Sequence, residues 1–432
     1  MIMLAKIILS AIFLATLFIA KSPGHAENAG ANKDNSVPSA VQLQSLRVEL
    51  DAPIVAALSG PNEKRWGFHQ FPWVQRLPDG RLLLGWLDTH DASESHGRPS
   101  PALVSGDGGR TWEEFRETPR PTCPHYSVSE IFNGEYLVVP AQPYLNYMKA
   151  VLDLPEPVAV ADIYGKRYSY RVRDLPPRLR QYYRQLPAYR WTPALQRWTD
   201  ETVEYDLDRM LFNRREGSEV LPRTFNERSL LKHGRELMYA DYRVGYEQED
   251  GTVPKKNGSH LMVSTDNGKT FRRRATIAVD LSGNDLYGEP QLAHTADGRL
   301  VCLLRKTDQQ QKPMAICWSS DGGQIWTRPR ELGRFGVWPC VTLLRCGVLV
   351  LSYGRPGVHM RFDAKGAGED WSEPVSLIKG DPHKIQEATC GYTCLLPLDD
   401  SSFLIAYSDF LHRDADGLQR KAILVRRIKV SR

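Results

Sequence analysis

The sequence predicts an all-β protein, six similar antiparallel units set around one axis, and three observations carry that prediction. An apolar strand, a turn rich in Asp and Gly and a second apolar strand recur six times along the chain. A short motif of Ser, Asp, Gly and a closing aromatic recurs three times, as SGDGGRTW (105–112), STDNGKTF (264–271) and SSDGGQIW (319–326), each downstream of one of those pairs. The composition is that of an ordinary globular protein, 41% hydrophobic and 25% charged, and 432 residues suffice for one large domain or two. Strand pairs that cannot bury their faces alone, repeated in this way, define a six-bladed β-propeller; a β-sandwich with similar turns is the competing architecture.

The chain opens with MIMLAK, which carries one lysine, then the apolar run IILSAIFLATLFIA, then KSPGHA, which ends in small residues before Glu27. These are the three regions of a secretory signal peptide (1–26), too short for a comfortable membrane span, with cleavage expected after Ala26 and an uncleaved anchor as the alternative. No cysteine stands at the cut, which argues against a lipid anchor, so a periplasmic or extracellular protein without a membrane span is expected. Residues 27–45 read as a polar linker and 46–432 as the propeller.

The six pairs are WVQRLPDGRLLLGW from Trp73, YSVSEIFNGEYLVV from Tyr126, RSLLKHGRELMYA from Arg228, QLAHTADGRLVCLL from Gln291, CVTLLRCGVLVLS from Cys340 and TCLLPLDDSSFLIAY from Thr393. Each has the turn chemistry and β-rich flanks of a hairpin. FDAKGAGEDW (362–371) is a degenerate copy of the short motif after the fifth pair. Between the second and third pairs the spacing is broken by an insertion at about 144–222, which contains RDLPPRLRQYYRQLPAYRWTPALQRW (173–198). Pro176 and Pro177 are suited to open a short helix there. Its aromatic residues, Tyr182, Tyr183, Tyr189, Trp191 and Trp198, fit either a lid over a functional face or a subdomain with its own small core.

A formal net charge of +5 is mild for 49.0 kDa and gives no reason to expect nucleic acid as a partner. Seven cysteines leave at least one unpaired in an exported protein, and none falls in a CxxC spacing. Cys302 and Cys317 lie symmetrically about a QQQK turn and so face each other across a hairpin, either as a disulfide or, like the others, as buried thiols. With no HExxH and no Cys/His cluster, no metal and no organic cofactor are expected, and the chain is expected to be a monomer.

In an antiparallel hairpin, the start of the first strand and the end of the second lie at the same edge. Around a propeller axis those ends meet at one mouth. Before the first strands stand His69, Gln70 and Phe71, then Asn226 and Glu227, Glu289, Trp338 and Tyr392. After the second strands come Asp88, His90 and Asp91, then Arg305 and Arg355. Arginines suit a carboxylate ligand, and a tyrosine beside a glutamate can lose its proton and become a nucleophile.

These residues resemble the sialidase (neuraminidase) superfamily. Its aspartate box, SxDxGxTW, is a structural turn between the outer strands of propeller blades, and it is matched at Ser105, Ser264 and Ser319. The family carries a glutamate sixteen residues before an arginine across an LxDGxL hairpin; GEPQLAHTADGRLVCLLR supplies Glu289 and Arg305, and 305 − 289 = 16. RPGVHMRFD supplies Arg355 at the place of a later arginine, and YTCLLPLDD supplies Tyr392 at the place of the nucleophile in YSxLxxLxDG. The family's acid/base aspartate lies in the loop after the first hairpin, where Asp91 is the match, with Asp88 and Glu94 nearby. The chain departs from the family at the FRIP-like start of that hairpin, where HQFP puts Gln70 in the place of the first carboxylate-binding arginine. A neutral amide cannot make the two charge-assisted bonds of Arg; Arg65, five residues upstream, is the candidate replacement. The likeness covers about residues 60–430 apart from the insertion.

The resemblance implies a retaining exo-glycosidase that removes a terminal acidic sugar, sialic acid in the family, from a glycan. Tyr392 would attack the anomeric carbon while Glu289 draws off its proton, and Asp91 would protonate the leaving oxygen and then activate water. Arg305 and Arg355 would hold the substrate carboxylate, with Gln70 and Asp88 completing the binding rim. Two alternatives stand beside this: a glycosidase or lyase for a uronic or neutral sugar, and a glycan-binding propeller without catalysis.

Overall fold

All six expected hairpins form, each the inner part of a larger antiparallel unit; the units of the second and third hairpins are joined edge to edge by a short parallel pairing of Glu204 and Tyr205 with Thr270 and Phe271. The computed structural model describes residues 38–43, 45–162, 165–224, 226–306 and 311–432; the expected signal peptide and residues 27–37 of the expected linker lie outside them, as does part of the QQQK turn.

Blade 1 runs outward through Phe68–Arg76, Leu82–Asp88, Ala102–Ser105 and Glu113–Glu114. Blade 4 (Tyr287–His294, Leu300–Lys306, Met314–Ser319, Arg330–Leu332) and blade 5 (Val337–Leu343, Leu349–Gly354, Val358–Asp363, Val375–Ile378) repeat the same order. Blade 3 does so with Leu231–His233, Glu236–Asp241, Ser259–Ser264 and Thr270–Ala278. The second strands read as continuous apolar runs because neighbouring blades cover both faces: in LLLGWLD of blade 1, every residue but the last is buried.

The core is divided among the seams between blades. Trp73, Leu83, Tyr126 and Val138 pack blade 1 on blade 2, and Leu137, Leu237 and Phe271 pack blade 2 on blade 3. Met238 and Leu300 join blades 3 and 4, Val301 and Leu349 join 4 and 5, and Val350 and Ile405 join 5 and 6. Leu84 with Leu404 and Val425 joins blade 6 back to blade 1, so the ring is closed. Blade 6 consists of Thr393–Pro397, Ser402–Arg413 and Gln419–Ser431, and its outer edge comes from the other end of the chain, where Leu46–Leu50 and Ile54–Leu58 both pair with Gln419–Ser431. Ala40–Leu43, within the expected linker, adds a further strand against Leu46–Leu50.

Blade 2 differs from expectation. Its inner strands, Ser129–Glu130 and Tyr136–Val138, are completed by Gln185–Thr192 and Arg197–Tyr205, which lie inside the expected insertion. The excursion proper holds three strands of a small sheet (Ala159–Asp162, Lys166–Arg171, Met210–Arg215), to which Gly245–Tyr246 of blade 3 adds a fourth, and the helix Pro177–Arg184, which starts at Pro177 as its composition requires. The aromatic residues serve packing: Tyr183 is buried and stacks on Phe212 at 5.1 Å, and Trp191 pairs with Trp198 across the outer hairpin of blade 2. Cys302 and Cys317 stand directly opposite each other in adjacent strands as buried free thiols. No helix among the described residues is long and apolar enough to cross a membrane.

The aspartate motifs sit between third and fourth strands. Asp321 Oδ1 accepts the Ser319 hydroxyl at 2.7 Å and the N–H groups of Gln324 and Ile325, and Ser319 Oγ accepts the Gly323 N–H. Gly323, at φ +84°, lies where a Cβ would fall 2.2 Å from Leu261 of blade 3, so the turn seats on the preceding blade only with glycine there. The degenerate copy works as well: buried Asp363 accepts N–H groups from Lys365, Gly366, Gly368 and Glu369.

Candidate active site

In blades 1, 4 and 5 the first strand begins with one shared device. Phe71, Glu289 and Trp338 each precede a proline, and each has a positive φ, 51°, 49° and 48°. All three fall where strand pairing skips, from Gln70 to Trp73, Gly288 to Gln291 and Val337 to Cys340. Proline has no N–H for the ladder, so the strand bulges, and the bulge turns the preceding side chain toward the axis. Such a backbone costs on the order of 1–3 kcal/mol per residue and persists where the surroundings over-determine it.

All three side chains meet at Tyr392. The Phe71 ring lies 4.5 Å from the Tyr392 ring, and Trp338 stacks on it at 4.7 Å with planes 12° apart. Glu289 accepts a short hydrogen bond from the Tyr392 hydroxyl. Blade 6 delivers Tyr392 through Gly391, whose carbonyl passes Gly354 so closely that a Cβ there would come within 2.2 Å of it. That close pass sets Arg355 beside Tyr392, guanidinium 5.3 Å from the ring centre.

Glu289 is 5% exposed and fully engaged. One oxygen takes the Tyr392 hydroxyl and Arg305 Nη1 at 2.8 Å; the other takes the Trp338 N–H at 2.8 Å. Burial pushes this carboxyl up, but Arg305, the Tyr392 hydroxyl, Arg355 and the Trp338 N–H together hold it below the ordinary range. Burial and the Glu289 charge push the Tyr392 hydroxyl well above its usual value, so it is neutral at physiological pH. Arg355 is buried and donates Nε–H to the Cys390 carbonyl at 2.8 Å.

Of the rim residues expected from the sequence, Tyr392, Glu289, Arg305 and Arg355 come together. Asp91 stands on the same side: Trp66 Nε1 donates to its Oδ2 at 3.0 Å, and Trp66 in turn lies 5.8 Å from Phe71 and 5.2 Å from the Arg355 guanidinium. Asp88 is tied to His69, whose Nδ1 is 2.8 Å away; burial pushes its carboxyl up, and His69 more than offsets this, leaving it below the ordinary range. Gln70 departs most from expectation. Its side chain is completely buried, neither amide atom has a hydrogen-bond partner among the described residues, and Phe71 takes the position against Tyr392. Arg65 is held by Glu63 and lies over the Phe68 ring at 3.8 Å.

Three residues at the mouth were not singled out from the sequence. His125 of blade 2 stacks on Trp338 at 4.3 Å; burial, with Arg243 and Arg228 nearby, pushes its imidazole well below the usual value, so it is neutral. Arg228 of blade 3 lies 3.6 Å from the centre of the same Trp338 ring and donates to the Pro339 carbonyl. Tyr242 follows the second strand of blade 3. The same start-and-end rule that found Glu289 and Arg305 points to all three when it is applied to blades 2 and 3. Among the described residues no group of three His, Cys, Asp or Glu side chains is placed to hold a metal ion.

No family model and no curated protein matches the chain. Solved structures do. A Dyadobacter fermentans protein of unknown function is 17% identical with a TM-score of 0.58, over 89% of this chain and 99% of its own. An α-L-arabinanase of Penicillium chrysogenum, solved with arabinobiose, is 14% identical with a TM-score of 0.52, over 87% of this chain and 98% of its own. An α-L-arabinofuranosidase of Fusarium graminearum is 14% identical with a TM-score of 0.53 over the same shares, 87% and 98%. An intramolecular trans-sialidase of Ruminococcus gnavus, 13% identical over 86% of this chain and 96% of its own, has a TM-score of 0.45 and is too distant to weigh. At these identities the likeness is one of fold, and it extends over nearly the whole chain.

Proposed function

We propose that the protein is an exported retaining glycosidase that releases a terminal acidic sugar from a glycan by way of a tyrosine nucleophile. The observation that carries this reading is the hydrogen bond from the Tyr392 hydroxyl to a buried Glu289 carboxylate that Arg305 also engages, at the axis of the propeller. Tyr392 is too weak an acid to ionise beforehand, so its oxygen gains charge only as the proton passes to Glu289 while the bond to the anomeric carbon forms. A neutral tyrosine also meets an anionic sugar with less repulsion than a bare carboxylate would. Arg355 and Arg305 attract the substrate carboxylate, the aromatic walls formed by Phe71 and Trp338 exclude water, and Asp91, oriented by Trp66, serves the leaving oxygen as acid and then water as base.

A second reading keeps Tyr392 and Glu289 and changes the sugar to a neutral or uronic one. It is favoured by Phe71, which puts a ring where a third arginine would serve a carboxylate, and by the arabinan-directed names of two proteins that share the fold. One assay separates the readings. Aryl sialoside, uronide and arabinofuranoside are offered to the wild type and to Tyr392→Phe; the first reading expects sialoside cleavage that falls by several orders of magnitude in the variant. Cleavage confined to the other sugars, or an unsaturated product absorbing in the ultraviolet, selects the second. Equal rates in wild type and variant would remove Tyr392 from the chemistry.

A further inference from the structure

Blades 3 and 4 each carry a buried Glu–Arg pair at the mouth end of the hairpin. In blade 4 it is Glu289 with Arg305; in blade 3 it is Glu227 with Arg243, side chains 8% and 22% exposed. The chemistry above uses only the first. Tyr242 adjoins both: its ring lies on Gly288, next to Glu289, where a Cβ would fall 3.0 Å from Cδ2, the Arg243 guanidinium is 5.7 Å from its ring centre, and burial, Glu227 and Glu289 all keep its hydroxyl protonated. Tyr144 lies within electrostatic reach of Arg243 and Glu227, and its ring is backed by His96 at 4.4 Å.

Removing a carboxylate and a guanidinium from water is costly, and a well-packed apolar pair would stabilise a blade at least as well. At the mouth end of the hairpin, where Arg243 keeps part of its side chain exposed, the pair has chemical use. Arg243 offsets the Glu227 charge, and a single guanidinium hydrogen bond does not saturate a carboxylate, which has about four lone-pair sites. Acceptors of that kind, next to neutral phenolic hydroxyls and the face of a ring, match the hydroxyls and C–H face of an uncharged sugar. An anionic group would instead meet the Glu227 carboxylate, whose charge a single guanidinium offsets.

From this geometry we infer that Glu227, Arg243 and Tyr242 form a second subsite, which binds a neutral, hydroxyl-rich sugar unit adjacent to the unit attacked at Tyr392. The inference rests on the glycosidase reading of the mouth, and it makes the substrate a chain whose neighbouring sugar carries no charge.

The test is direct binding, independent of turnover. Tyr392→Phe protein is screened against neutral and carboxylated oligosaccharides on an array, and the bound neutral ones are titrated by calorimetry. Binding of neutral oligosaccharides is expected to weaken about tenfold or more when Tyr242→Phe is added, a change that removes one hydroxyl and leaves the Glu227–Arg243 pair intact. Glu227→Gln is expected to weaken it as well, with circular dichroism used to confirm that this variant folds. Cleavage by the wild type with no neutral oligosaccharide bound, or binding unchanged by Tyr242→Phe, overturns the subsite and leaves the glycosidase standing. Binding that depends on Tyr242, with no cleavage of any glycoside by the wild type, overturns the hydrolase and leaves the subsite.

Discussion

Glu289 is the residue on which the other mouth residues act. It is buried, yet Arg305 and two hydrogen bonds keep it ionised, so it is ready to receive the Tyr392 proton down to an acidity at which a free glutamate would be half protonated. The sign follows directly: a base works when deprotonated, its pKa here is depressed, and the acid limb of kcat/KM therefore lies below the usual glutamate range. Arg305→Gln removes the largest lowering influence while burial remains, so the Glu289 pKa rises and the acid limb moves to higher pH. A pH profile of kcat/KM for the two proteins checks this; an unmoved limb would assign it to another group, Asp91 first. The charges and the hydroxyl at this site were legible in the sequence because Glu289, Arg305, Arg355 and Tyr392 flank hairpins whose turns are plain. Gln70 was misplaced for a reason of register. A bulge shifts which residue faces the axis by one position, and its mark, the repeated pair of a site residue and proline in FP, EP and WP, was present but is only decisive once Phe71, Glu289 and Trp338 are aligned as equivalents.

At the scale of elements, the aspartate turns hold third strands to fourth strands and contribute no chemistry to the mouth. The degenerate copy in blade 5 lacks the opening serine, yet its Asp363 is fully buried and accepts several backbone N–H groups. Asp363→Ala would leave those donors without a partner in a closed turn, at a cost of about 3 kcal/mol or more from several donors together. Urea unfolding is expected to show a lower midpoint at unchanged slope; a midpoint within error of wild type would mean that water replaces the carboxylate and that the turn is not fixed by it. Blade 2 shows where such reading fails. Its outer hairpin, AYRWTPALQRWTDETV, carries no aspartate motif, and its two inner strands are separated from it in the chain by the helix and the first two strands of the small sheet. Cross-strand pairs such as Tyr189 with Val138 are long-range, and no local pattern announces them.

The whole molecule is a ring, and a ring is stable only if its last seam holds. Here the first and last strands of the propeller meet in blade 6: Leu46–Leu50 and Ile54–Leu58 pair side by side with Gln419–Ser431, and Leu46, Val48 and Leu50 are buried against Val348, Val350 and Ile428. These three side chains alone contribute about 5–8 kcal/mol of burial, comparable with the net stability of an ordinary domain. Removing residues up to Leu58 therefore does more than trim an edge. It leaves Gln419–Ser431, still paired with Ser402–Arg413, with its other edge open between Ala422 and Ser431, a template for association with other chains, and it loosens the seam that positions Thr393–Pro397 and so Tyr392 beside Phe71 of blade 1. A chain beginning at Gly60 is expected to lose the cooperative thermal transition and to aggregate, while one beginning at Ser45, which lacks only the outermost strand Ala40–Leu43, keeps both its transition and its activity. Calorimetry with light scattering on the two truncations decides the matter. If the shorter chain melted with the same midpoint as the longer one, ring closure through the N-terminal strands would not be what holds the site in register.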